Sequence, residues 1–188
     1  MPRKPSTTRT DILDTAMTMF IERGYDKTSL REIADSVGVT KAALYYYFRT
    51  KDEIVRATLD EYATAIGALL DWLHETPPSA GRNEQLVDRV LDVFDGGGSL
   101  ALQFIQANPT VIAREGFGDL HIDYIKRLVQ AIAGEHPSDE NAARATLSFG
   151  ALLLSVAPES PLQLTGDAAS RRAASRTIAL ELLAPLSA

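Results

Sequence analysis

The segment from Thr28 to Lys51, TSLREIADSVGVTKAALYYYFRTK, constrains this chain more than any other. Ser29 with Glu32 three residues on forms a capping box, so a helix is expected to open at Leu30. Leu30, Ile33, Ala34 and Val37 recur at helical spacing, and Gly38 supplies a permissive turn residue. Thr40 is a second N-cap, opening a helix through Lys41 to Phe48. Helix, short turn and helix over residues 29–48 is the architecture that lays its second helix in a DNA major groove.

Helical geometry sorts the aromatic run of that second helix. At roughly 100° per residue from Leu44, Phe48 falls near about 40°, so these two share the core face. Tyr45 falls near about 100°, Ala42 about 160° and Tyr46 about 200°, which turns them outward, while Tyr47 at about 300° stands at the border. An exposed tyrosine suits DNA, because its hydroxyl bonds phosphate and its ring packs on sugar or a thymine methyl. Tyr45 is therefore expected nearest the bases, with Lys41 beside it. Thr28, Thr40, Tyr46 and Lys51 are expected on phosphates, and Ala42 and Tyr47 complete the face. The other reading of the same patch is a docking surface for a protein. Residues 1–7 read as a polar arm. Its Arg3 and Lys4 either reach the minor groove or phosphates, or belong to a disordered tail.

Ile12-Leu13, Ala16, Phe20, Gly24-Tyr25, Thr28-Ser29, Ile33-Ala34, Gly38-Val39, Leu44-Tyr45-Tyr46, Phe48 and Lys51-Asp52-Glu53 form one ordered set. Through it the chain from about Thr8 to Tyr62 resembles the DNA-binding domain of TetR-type transcriptional repressors. The resemblance implies a three-helix domain, a long connecting helix and a larger, divergent regulatory domain whose last two helices dimerise. The expected organisation is an arm at 1–7, a helix-turn-helix domain at 8–62 and a helical regulatory and dimerisation domain at 63–188, all-α throughout.

Charge agrees with that division. The net charge of −6 is unusual for a partner of a polyanion. Yet residues 1–60 hold ten Lys/Arg against nine Asp/Glu, so the acidity belongs to the remainder. There are no cysteines, hence no disulfide or thiolate metal site, and no apolar run of membrane-spanning or signal-peptide type. A cytoplasmic protein with no membrane partner is expected.

Past Lys51 a helix of about 25 residues is expected up to Pro77-Pro78, followed by a linker to Arg82 and an amphipathic helix over 84–94. Gly96-Gly97-Gly98 lacks the GK[ST] of a phosphate loop and reads as an interhelix turn. Helices follow over 99–107 and 119–133, then 138–156 and 167–183. The first of the last pair is apolar nearly all round, and the second is alanine-rich. Together they suit a four-helix dimer seam through Phe149, Gly150, Leu153, Ala174 and Ile178, against which stands a monomer folded on its own core. Trp72, Phe104, Phe117, Tyr124 and Phe149 are candidates to line an apolar effector pocket, or are ordinary core.

The three histidines lack metal-ligand spacing, and there is no HExxH or GxSxG, so neither catalysis nor a cofactor is expected. The reading is a homodimeric repressor that releases a palindromic DNA operator when a small, mostly apolar effector binds the second domain. A helical protein-interaction module and a DNA-binding regulator without ligand are the alternatives.

Overall fold

A computed structural model describes residues 5–156 and 166–186; the side chains of 5–7, 115 and 117–121 lie outside what it describes. Every regular element among the described residues is helical: α1 (Pro5–Arg23), α2 (Leu30–Val37), α3 (Lys41–Tyr47), α4 (Lys51–Glu75), α5 (Ala80–Val93), α6 (Ser99–Ala107), α7 (Pro109–Glu115), α8 (Phe117–Ala133), α9 (Asp139–Leu153) and α10 (Ala168–Leu183). None of these helices is long and apolar enough to cross a membrane. The chain divides into two compact units, Met1–Ala63 with Leu100–Gly118, and Thr64–Ser99 with Asp119–Ala188.

In the first unit, Ile12, Leu13, Ala16, Met17 and Phe20 of α1 are buried with Ile33, Ala34 and Val37 of α2, Leu44 of α3, and Ile54 and Leu59 of α4. The α2 cap is the one read from sequence: Ser29 Oγ accepts the Glu32 amide while the Glu32 carboxylate accepts the Ser29 amide at 2.8 Å. Gly38 ends α2 at φ 77°, a left-handed conformation that a β-carbon would penalise, and its amide closes on the Ala34 carbonyl at 3.0 Å. α1 starts at Pro5, so part of the expected arm is helical; proline is pre-set for a first helical turn. Arg3 and Lys4 lie outside the described residues.

The unit also takes in α7 and nearly all of α6, which the sequence placed in the second domain. The reason is aromatic packing. Phe104 is fully buried, its ring centroid 6.1 Å from Phe20 and 6.3 Å from Tyr25, and Phe20 and Tyr25 lie 5.1 Å apart. Phe104 is thus core of the first unit.

The second unit buries Leu69, Leu70 and Leu73 of α4, Leu86, Val90 and Leu91 of α5, Leu128 and Ile132 of α8, Phe149 and Leu152 of α9, and Ala179 and Leu183 of α10. α5 opens earlier than expected, at Ala80, because Ser79 Oγ accepts the Arg82 amide at 3.0 Å and caps it. α10 is fastened to α5 at both depths. Asn83 Nδ2 donates to the buried Leu183 carbonyl at 2.8 Å, while Arg176 pairs with Asp88 and Arg172 with Asp95 at the surface. The triple glycine is a kink, with Gly97 at φ 96°.

α9 is buried on one side only. Ser148, Phe149, Ala151 and Leu152 face inward, whereas Leu147 is 58% exposed and Gly150 half-buried. On α10, Ala174 and Ile178 are exposed one turn apart. Phe149, expected in a seam, is buried in its own chain, and Leu153 is half-buried.

Phe104→Ala tests the reassignment. Removing a fully buried ring should cost about 3–5 kcal/mol, read from the denaturant midpoint, and should weaken DNA binding together with stability.

Candidate nucleic-acid interface

α3 is only seven residues long, so its face depends on how it is anchored. Leu44 and Phe48 are buried and hold it from beneath, with the Arg9 guanidinium 5.5 Å from the centre of the Phe48 ring. Thr40 caps its start by accepting the Ala43 amide at 3.1 Å. That leaves the Thr40 hydroxyl proton for an outside acceptor on an exposed residue. Its C-terminus is fixed by a second reciprocal cap. Thr50 Oγ accepts the Glu53 amide at 3.1 Å, and the Glu53 carboxylate accepts the Arg49 amide at 2.6 Å.

The opposite side is open. Lys41 and Ala42 are exposed, Tyr45 is 40% and Tyr46 84% exposed, and Tyr47 is half-buried, in the order that the helical wheel requires. The Lys41 ammonium stands 5.4 Å from the Tyr45 ring, and the Tyr46 and Tyr47 rings meet edge-on at 5.3 Å. A cation and a ring together on one exposed helical ridge can meet phosphate and base edge at once.

Two residues expected on phosphate are otherwise engaged. Thr28 is buried, its hydroxyl donating to the Gly24 carbonyl at 3.1 Å, so its side chain closes the α1–α2 turn and does not face out. Lys51 is half-buried and donates its ammonium to the Tyr25 carbonyl, 4.2 Å from the centre of the Tyr25 ring. The Tyr25 hydroxyl donates to Asp52 Oδ1, which also receives Arg114 Nη2 at 2.7 Å. Burial first, then the bond to Asp52, pushes the Tyr25 phenol well above its ordinary range, so it stays a donor at all working pH. Nothing in the local sequence around Arg114 signals a partner 62 positions away in α4.

The five candidate pocket aromatics divide between the two units. Phe104 belongs to the first unit, as described, and the Phe117 side chain lies outside the described residues. In the second unit Trp72 is half-buried with the Arg89 guanidinium 4.5 Å from its ring, Tyr124 is half-buried and Phe149 buried. That unit does hold a cleft of about 670 Å³ against the C-terminal turns of α4 and α8 and the start of α5, and none of these aromatics lines it.

The α2 cap yields a pH test. Hydrogen bonds from the Ser29 hydroxyl and amide hold the Glu32 carboxyl below its usual range. A lowered acid pKa adds stability above the ordinary glutamate value and loses it as pH falls through the depressed one. Ser29→Ala should cost about 1 kcal/mol at neutral pH and flatten this part of the acid dependence, read by thermal unfolding across the acid range.

Residues 12–58 match the family model described as bacterial regulatory proteins, tetR family. The chain is 36% identical over 87 residues to the HTH-type transcriptional repressor KstR2 of Mycolicibacterium smegmatis, a match covering 46% of this chain and 36% of that protein. It thus spans about a third of that relative's length. In fold it is similar to KstR2 of Mycobacterium tuberculosis, a ketosteroid transcriptional regulator, with TM-score 0.65, 18% identity and coverage of 95% and 92% of the two chains. It is likewise similar to AibR in complex with isovaleryl coenzyme A and operator DNA, with TM-score 0.62, 20% identity and coverage of 96% and 98%. The helix-turn-helix domain of this chain belongs to the TetR family of bacterial regulatory proteins, and the chain as a whole has the all-helical TetR-type fold.

Proposed function

We propose that the protein is a homodimeric transcriptional repressor whose second unit binds a small-molecule effector and thereby releases a palindromic operator. The observation that carries the DNA half is α3: Leu44 and Phe48 buried beneath, Lys41, Tyr45 and Tyr46 outward. Its short length and two flanking caps give those side chains a fixed origin, which base readout requires. Thr40, Lys41, Tyr46 and the half-buried Tyr47 surround Tyr45 as phosphate and sugar contacts, with Ala42 leaving room for close approach. Arg3 and Lys4 are assigned to the adjacent groove. Lys51 acts on DNA chiefly through its hold on the Tyr25 turn.

Features of each unit support dimerisation. Two recognition helices read successive major grooves only when a two-fold sets them about 34–36 Å apart. Leu147 with Gly150 on α9, and Ala174 with Ile178 on α10, present an uncovered apolar and small-residue surface, the material of a four-helix seam. The effector half rests on the cleft in the second unit and on likeness of fold to AibR, which holds both a ligand and operator DNA. Leu70 and Leu73, which line the cleft, and Asp52, which the Arg114 and Tyr25 bonds engage, are carried by the same helix, α4. An effector acts by binding one α4 setting better than the other, and its influence on DNA is returned by DNA on the effector to the same factor.

Tyr45→Ala should cost about 1–3 kcal/mol on the operator and little on random duplex, whereas Lys41→Ala should weaken both and lower the salt slope by about 1. Fluorescence anisotropy across a salt series reads both; parent-like binding by the two variants would remove α3 as the reading helix. Ile178→Glu should give monomers by sedimentation at micromolar concentration, with operator affinity lost and helicity retained.

A further inference from the structure

Arg82, in the first turn of α5, is 3% exposed and has no ion-pair partner among the described residues. Only its Nη1 is used, donating to the Thr76 carbonyl at 3.2 Å. Its Nε and Nη2 are shut off from solvent and have no acceptor among the described residues. These two nitrogens form one edge of the guanidinium, the edge that receives both oxygens of a carboxylate side by side. A buried charge held by one neutral carbonyl is an expensive arrangement unless something else completes it. Burial alone acts on its pKa, pulling it down with no carboxylate to restore it.

Arg82 lines the cleft of about 670 Å³, whose buried lining also includes Leu70 and Leu73. Asp71, Glu75 and Glu135 stand exposed around it, with Arg127 and His74. Three rim carboxylates disfavour a multiply charged anion such as phosphate. They tolerate a single charge carried inward on an apolar body. We propose that the cleft binds a small monocarboxylate, its two oxygens on Nε and Nη2 of Arg82 and its hydrocarbon body against Leu70 and Leu73. The carboxylate enters as the Thr76–Pro78 segment, which lines the cleft and holds Nη1, gives way. This deepens the effector reading and rests on it for the link to DNA, but binding itself can be measured without DNA.

The test uses the full chain without DNA and three probes: octanoate, octan-1-ol and inorganic phosphate. Trp72, the only tryptophan, sits between the lining residues Asp71 and Leu73 and reports occupancy, with the melting temperature as second readout. Octanoate should shift both signals at millimolar concentration, and octan-1-ol and phosphate should leave them unchanged. Arg82→Met, close in length and without charge, should abolish the octanoate response. Arg82→Lys, which keeps the charge and loses the fork, should weaken it by about tenfold and carries the comparison alone if the methionine variant does not fold. The proposal is overturned if octanoate has no effect on the parent, if the Arg82 variants respond like the parent, or if octan-1-ol or phosphate acts as well as octanoate. Octanoate that binds through Arg82 but leaves operator DNA bound removes the effector role and keeps the site.

Discussion

Phe20, Tyr25 and Phe104 meet in one aromatic cluster, and the first unit is organised around it. Phe20 is the last large inward residue of α1, Tyr25 belongs to the turn into α2, and Phe104 comes from α6. With the ring of Tyr25 pinned, its two polar ends become anchor points. The hydroxyl binds Asp52 and the carbonyl binds Lys51, both in the first turn of α4. α4 in turn fixes Arg49 and Thr50 through Glu53, which sets where α3 ends. The outward ridge of Lys41, Tyr45 and Tyr46 is therefore aimed by apolar packing at its base, transmitted through short charged hydrogen bonds.

The charges divide labour in the same way. Arg114 on Asp52 and Arg9 on Glu61 are partly exposed pairs in the first unit, each worth no more than about 1 kcal/mol. Their use is orientation. The pairs of Arg172 and Arg176 with acids of α5 do likewise in the second unit, where the buried Asn83 bond to the Leu183 carbonyl is the firmer tie. Arg82 stands apart, buried and with one neutral acceptor for its side chain among the described residues, a conflict that local stability does not explain.

Much of the first unit was legible because its signals are local. The Ser29–Glu32 box, Gly38, the Thr40 cap and the outward turn of Tyr45 and Tyr46 each follow from neighbours within a helical turn, and the structure has them all. For Thr28 and Lys51 residue type alone says donor and does not say to what. Their acceptors, the carbonyls of Gly24 and Tyr25, are set by the folded turn. The place of Phe104 was not legible either. Helical periodicity marks a residue as inward without saying whose interior it enters, and 79 positions separate it from Tyr25. The same blindness hid Arg82. A charged residue before an amphipathic stretch reads as solvated linker, and only tertiary packing buries it.

The discontinuous first unit has a consequence for how the protein is made. As the chain is synthesised, α1, α2 and α3 are complete well before Phe104 exists, so this nascent segment has the Phe20 and Tyr25 rings without their α6 neighbour. Closing that gap requires a contact of long sequence separation, a slow step compared with forming the helices themselves. The three-helix segment cut out on its own would keep an apolar scar where α6 belongs, which favours clumping over solubility. Synthesis thus has a built-in order: the first unit closes only after the chain has passed through residues 64–99 of the second unit and returned.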